Sequence, residues 1–113
     1  MSNKTELDND ETLQEKLKEI KNQKGIIGYI LRSSNSATID LNDPQKIIDY
    51  AVLSSAVLDI GNNMTEKLEL GEVEKAVVES EETKLMSMKL DNKLLSIFME
   101  QTVDHNKLYE ELR

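Results

Sequence analysis

Cysteine and tryptophan are absent from this chain, which also holds only one histidine, one proline, two arginines and four glycines in 113 residues. Without cysteine there are no disulfides, no thiolate nucleophile and no cysteine metal ligands, a composition that suits a reducing compartment and sets the expectation of a cytoplasmic protein. The lone histidine, His105, leaves a zinc or other transition-metal site without its usual ligands. Glycines at 25, 28, 61 and 71 make neither Gly-x-x-x-x-Gly-Lys-[Ser/Thr] nor Gly-x-Gly-x-x-Gly, so a phosphate-cradling loop is missing. Gly25 and Gly28 read more simply as backbone relief beside a packed helix. Arg32 and Arg113 are too few for bidentate reading of bases or phosphates, and a formal net charge of −8 repels a nucleic-acid backbone. The start, Met1-Ser2-Asn3-Lys4-Thr5-Glu6, lacks the apolar run of a secretory signal. Nor does any segment reach the roughly 20 consecutive apolar residues of a membrane span.

What is present suits one domain with one core. Residues 1 to 10 are polar and are expected to be a flexible N-terminus ahead of a single domain over 11–113. A first helix is expected from about Glu11 to Gln23, with Leu13, Leu17 and Ile20 on one face and Lys24-Gly25 as its stop. Gly25 to Arg32 reads as a strand apolar on both faces, hence central, and Ala37 to Leu41 as its short return. Asn42-Asp43-Pro44 is a helix start, with Asp43 able to cap and Pro44 suited to the first helical position. The long helix it opens is expected to run to about Leu70 before Gly71. Val73 to Glu79 and Leu85 to Leu90 carry mixed faces, as outer strands do, whereas Leu94 to Met99 is apolar on both faces and central. Asp104 can cap a last helix, His105 to Arg113.

Within the long helix, ten of the fourteen positions from Ile47 to Ile60 are apolar. A helix covering a single sheet needs a single apolar stripe, so two stripes need two things to bury them. Tyr50, Leu53, Val57, Ile60, Met64 and Leu68 form one, expected to lie on the chain's own sheet. Ile47, Ile48, Ala51, Val52, Ser55 and Leu58 form the other, and its smaller residues suit close approach to a partner helix. Between Asp59 and Glu82 eight acids face two lysines, Lys67 and Lys75, which reads as a solvated surface or as a docking surface for a basic partner. Met86, Met88 and Met99 are expected to fill the core.

The order helix, two strands, long helix, three strands, short helix, together with "IIGYILRS", "ATIDL", "VLDIGNNMTEKLELGE", "EKAVVES", "KLMSMKL", "KLLSIFME" and "DHNKLYEEL", resembles the Roadblock family of dynein light-chain-like proteins. The likeness covers residues from about 9 to 113 and lies in elements and apolar positions, without a catalytic signature. It implies an α+β fold, α-β-β-α-β-β-β-α, with a five-stranded antiparallel sheet in the order 2-1-5-4-3 covered by one long helix, Roadblock/profilin-like. It also implies a homodimer, or a heterodimer with a paralogue, in which third strands pair edge to edge and long helices pack across the two-fold axis. Carried onto this chain, that places Val73, Lys75 and Val77 near the axis and Ile48, Ala51, Val52 and Ser55 on the facing helices. The resemblance further implies a non-catalytic module that scaffolds or regulates a small Ras-like GTPase or a larger assembly, with no cofactor, no metal and no catalytic residue. The alternative is a PAS- or profilin-like domain that senses a small ligand in a cavity lined by Tyr29, Phe98 and Met99.

Overall fold

The computed structural model describes residues 2–42, 49, 50, 56, 59, 60, 63 and 74–112, with side chains given from residue 12 onward. Helix α1 (Ser2–Lys21) leads into strands β1 (Ile26–Arg32) and β2 (Ala37–Leu41). Strands β3 (Lys75–Glu79), β4 (Thr83–Leu90) and β5 (Lys93–Glu100) follow, and helix α2 (His105–Leu112) closes the chain. Asp49, Tyr50, Ala56, Asp59, Ile60 and Asn63, between β2 and β3, have helical backbone. The remainder of the expected long helix lies outside the described residues.

The five strands form one antiparallel sheet in the order β2-β1-β5-β4-β3, so β1 and β5 are interior and β2 and β3 are edges, as the sequence indicates. Strand β4 differs from expectation. Leu85, Met86, Ser87 and Met88 are all buried, so β4 is covered on both faces rather than half-exposed. Its hydroxyl-bearing Ser87 hid this. Ser87 lies opposite Ser96 of β5, and their Oγ atoms are 2.8 Å apart, so each buried hydroxyl satisfies the other.

Because side chains alternate along a strand, the sheet carries two cores. On one face Tyr29, Leu31, Met86, Met88, Leu95, Ile97 and Met99 pack against Leu17 and Ile20 of α1 and Leu108 and Leu112 of α2. The three methionines are fully buried there, filling core as expected. On the other face Ile30, Leu85 and Phe98 pack with Ile27, Leu41, Tyr50 and Ala76. Burial of each such side chain contributes about 1.5–3 kcal/mol. The ion pair Lys21–Asp40, at 3.5 Å with Asp40 half-exposed, belongs to a class worth at most about 1 kcal/mol, so packing decides the fold.

Helix α1 begins at Ser2, not near Glu11. No glycine or proline precedes Gly25, so nothing in the sequence breaks the helix on its N-terminal side. Its other end is fixed. Gly25 has φ +89°, the left-handed region, and its carbonyl accepts from the Glu100 N–H at 2.7 Å, tying the helix exit to the end of β5. Gly28 needs its missing side chain for a different reason than expected. Its neighbour is strand β2, not a helix: a Cβ there would lie 2.7 Å from Leu41 Cα. Gly28 lies directly opposite Leu41 in the β1–β2 ladder, which leaves no room for a side chain there. At the last helix, Asp104 Oδ1 accepts from the N–H groups of Asn106 and Lys107 at 3.1 and 3.2 Å, the cap the sequence announces.

Two outcomes follow from this packing. Gly25→Ala forces an L-residue into a left-handed backbone and sets its methyl 2.6 Å from Val103 Cγ2. Urea unfolding is expected to show a loss of about 1–3 kcal/mol, and unchanged stability would contradict the assignment. Tyr29 is buried beside Asp40, and both burial and that negative charge hold its phenol above its ordinary 10.0. Folding therefore favours the neutral phenol, a contribution complete below pH 10.0 and lost as pH rises through the higher folded-state value. Unfolding titrations carried above that pH should show native protein losing more stability than Tyr29→Phe, and parallel curves would refute this.

Candidate interaction surface

Both sheet faces being packed, the exposed elements of the sheet are its edges. At the β3 edge the ladder orientation is fixed by its flanks: the Lys89 N–H donates to the Glu74 carbonyl at 3.0 Å and the Ser80 N–H to the Thr83 carbonyl at 2.8 Å. Register pairs Lys75 with Met88, Ala76 with Ser87, Val77 with Met86, Val78 with Leu85 and Glu79 with Lys84. Alternation then turns the backbone groups of Ala76 and Val78 toward β4 and those of Lys75, Val77 and Glu79 outward. Such a row of outward donors and acceptors is a template for another strand.

The side chains of these edge residues divide between the two faces. Lys75, Val77 and Glu79 lie on the face of α1 and α2. Lys75 Nζ is 3.4 Å from Asn106 Oδ1 and 4.3 Å from the centre of the Tyr109 ring, so its cation rests on α2. Val77 packs against the larger core. Lys84, almost fully buried, brings its ammonium 3.9 Å from the Glu79 carboxylate at the surface. Ala76 and Val78 lie on the opposite face, where Tyr50 meets Phe98 with ring centroids 4.4 Å apart. Val78 is 44 % exposed and Ile60 is 60 % exposed.

Of the seven residues the resemblance assigns to an interface, Lys75 and Val77 lie on the β3 edge, while Ile48, Ala51, Val52, Ser55 and Val73 fall outside the described residues. Three further residues of β3 share this edge. Glu79 shares the outward row with Lys75 and Val77, and Ala76 and Val78 are the β3 side chains on the face of Tyr50. Counting in twos from Lys75 reaches Glu79, and the positions it skips are Ala76 and Val78. The first stripe of the long helix is only partly as expected: Tyr50 packs on the sheet through Phe98, but Ile60, ten residues on, is exposed.

The ligand cavity of the alternative reading is not formed by the residues expected. Tyr29 and Met99 face α1 and α2, and Phe98 faces Tyr50, because neighbouring positions on a strand point to opposite sides. A hollow of about 110 Å³ does lie beside Phe98, Tyr50, Leu85, Val78 and Ile27. It is well below the roughly 300–1,000 Å³ of ordinary small-molecule sites. Among the described residues no group of three or more histidine or carboxylate side chains is placed to hold a metal, and no helix is long and apolar enough to cross a membrane.

No protein-family profile matches the sequence, and no characterised protein matches it significantly. The fold does find matches among solved structures. The crystal structure of a Roadblock/LC7 domain from Streptomyces avermitilis superposes with a TM-score of 0.68 over 82 % of this chain and 81 % of that one, at 20 % sequence identity. The chain therefore has the Roadblock/LC7 fold, with the strand order and α+β arrangement expected from its sequence.

Proposed function

We propose that this chain, built on the Roadblock/LC7 fold, is a non-catalytic interaction module that works as a dimer and scaffolds or regulates a small Ras-like GTPase or a larger assembly. The observation that carries the reading is the β3 edge, whose Lys75, Val77 and Glu79 backbone groups point away from the sheet. An edge of this kind is satisfied most simply by the same edge of a second copy, since an isologous contact closes on itself. The exposed Val78, on the edge strand itself, supplies apolar surface beside it. Ile48, Ala51, Val52, Ser55 and Val73 complete the proposed interface on the strength of the family resemblance. The acidic stretch that ends in exposed Glu81 and Glu82 offers a basic partner a docking face.

GTPase binding rests on the family likeness, and the chemistry of this chain limits how it could act. With only two arginines in the sequence, Arg32 and Arg113, and Arg32 at the end of β1, an arginine finger is poorly supplied, so any effect on hydrolysis would come from positioning the GTPase's own groups. Light scattering is expected to return twice 12.9 kDa. Gel filtration with a Ras-like GTPase should then show co-elution that depends on whether GDP or a GTP analogue is bound. A mass of one chain across the concentration range would overturn the dimer. Elution indifferent to the GTPase in both nucleotide states would overturn the partner.

A further inference from the structure

We propose that strand β2, the edge of the sheet opposite β3, is a separate association surface that takes the β2 strand of another copy of this chain, antiparallel, with Ile39 on the two-fold axis. The proposal stands on β2 alone and holds whether or not β3 is paired.

Two hydrogen bonds fix which groups of this strand face out. The Ser33 N–H donates to the Ser36 carbonyl at 2.8 Å, and the Asn42 N–H to the Ile27 carbonyl at 3.1 Å. Alternation between them turns the backbone of Thr38 and Asp40 toward β1. That of Ala37, Ile39 and Leu41 faces outward, where it bonds no other described residue. Several devices that blunt an edge are lacking here. Strand β2 holds no lysine and no proline, and its ladder with β1 runs without a bulge. Ala37, Thr38 and Ile39 are exposed, and Ile39, at 41 %, is a large apolar side chain left in water.

The side chains sort onto two faces by what they oppose in β1. Asp40 lies across from Tyr29 and Thr38 from Leu31, on the face of α1 and α2, where Lys21 Nζ is 3.5 Å from the Asp40 carboxylate. Ile39 lies across from Ile30, and Ala37 and Leu41 share its face. Laid against its own reverse, Ala-Thr-Ile-Asp-Leu pairs along its whole length only when the axis is at Ile39. That register sets Ile39 against the partner subunit's Ile39 and small Ala37 against the partner subunit's Leu41. It also brings the Thr38 hydroxyl beside the partner subunit's Asp40, whose carboxylate accepts from it. Ala37, Ile39 and Leu41 each exchange both backbone hydrogen bonds with the residue opposite. An axis at Asp40 opposes carboxylate to carboxylate where side chains come closest. Axes at Ala37, Thr38 or Leu41 leave part of the strand with no strand opposite. The match of small to large and of hydroxyl to carboxylate favours a second copy over a foreign strand.

Five residues bury little surface, so the contact is weak and fills at high protein concentration. It is also open-ended: with β3 paired as proposed above, two-fold contacts at both edges join dimers into a continuing sheet.

The chain has no cysteine, so introduced thiols report this register without background. Full-length Thr38→Cys and Asp40→Cys are mixed in a glutathione redox buffer at about 0.15 M salt, which screens the negative charge of the chain. Opposed positions of this kind have Cα atoms about 4.5 Å apart, within disulfide reach, whereas like positions are diagonal, about 7–8 Å apart and beyond it. The mixture should therefore form a covalent pair several-fold more than either variant alone. In the wild type, hydrogen exchange at the amides of Ala37, Ile39 and Leu41 should slow together as concentration rises. Ile39→Lys opposes two lysines on the axis and should weaken that association roughly 10-fold or more. A mixture that cross-links no better than its components, from variants whose urea unfolding matches wild type, overturns the proposal. So does exchange at the three wild-type amides that is independent of concentration into the millimolar range, and this readout decides alone if a cysteine variant does not fold.

Discussion

The domain depends on strand β5 being buried on both faces. Leu95, Ile97 and Met99 must go to one side and Ser96 and Phe98 to the other, because a strand alternates and none of the five is exposed. One side is closed by α1 and α2, and on the other Tyr50 stacks on Phe98. A sheet covered in this way has little to offer a partner through its middle. What it has left is its edges, so the same two-sided burial that stabilises the domain directs its chemistry to the outer strands. Strand β3 is where the outward backbone, the half-exposed Val78 and the paired charges coincide.

That division of labour also accounts for the sparse polar chemistry of the interior. The buried hydroxyls of Ser87 and Ser96 satisfy each other, and the buried Lys84 reaches out to Glu79 at the surface. Neither arrangement leaves a reactive group exposed in a cleft, and the hollow beside Phe98 is small. In the proposed interaction module, specificity would be carried by shape, backbone pairing and charge at the β3 edge.

Much of the architecture was legible in the sequence because its signals are local and physical. The serine-rich turn and Asn42-Asp43-Pro44 bound β2 at Ala37 and Leu41, its ends in the structure. Gly25 and Asp104 mark the ends they terminate and cap. The both-faces-apolar runs of β1 and β5 announced interior strands. The misses share a cause, which is that they depend on what lies across the sheet. Ser87 looks exposed until its partner Ser96 is known to sit opposite, and Gly28 looks like helix relief until Leu41 of β2 is known to lie across from it. Tyr29, Phe98 and Met99 suggest one pocket as a list of large side chains, but neighbouring positions on a strand cannot share a face. The edge suffers the same way: the resemblance marks Lys75 and Val77, whereas Glu79, two residues on in the same outward row, reads as one more surface carboxylate. Helical periodicity puts Ile60 on the sheet, but periodicity says nothing of how far along a helix the sheet extends.

The most direct measurement is amide hydrogen exchange along β3 as a function of protein concentration. Ala76 and Val78 donate within the sheet and should be protected at every concentration, while the outward amides of Lys75, Val77 and Glu79 bond no other described residue and would be protected by a second strand. Slow exchange at those three amides, appearing together as concentration rises, is the result expected of a second copy on this edge. Fast exchange at Lys75, Val77 and Glu79 in a sample whose solution mass is that of two chains would contradict it, and would place the interface elsewhere.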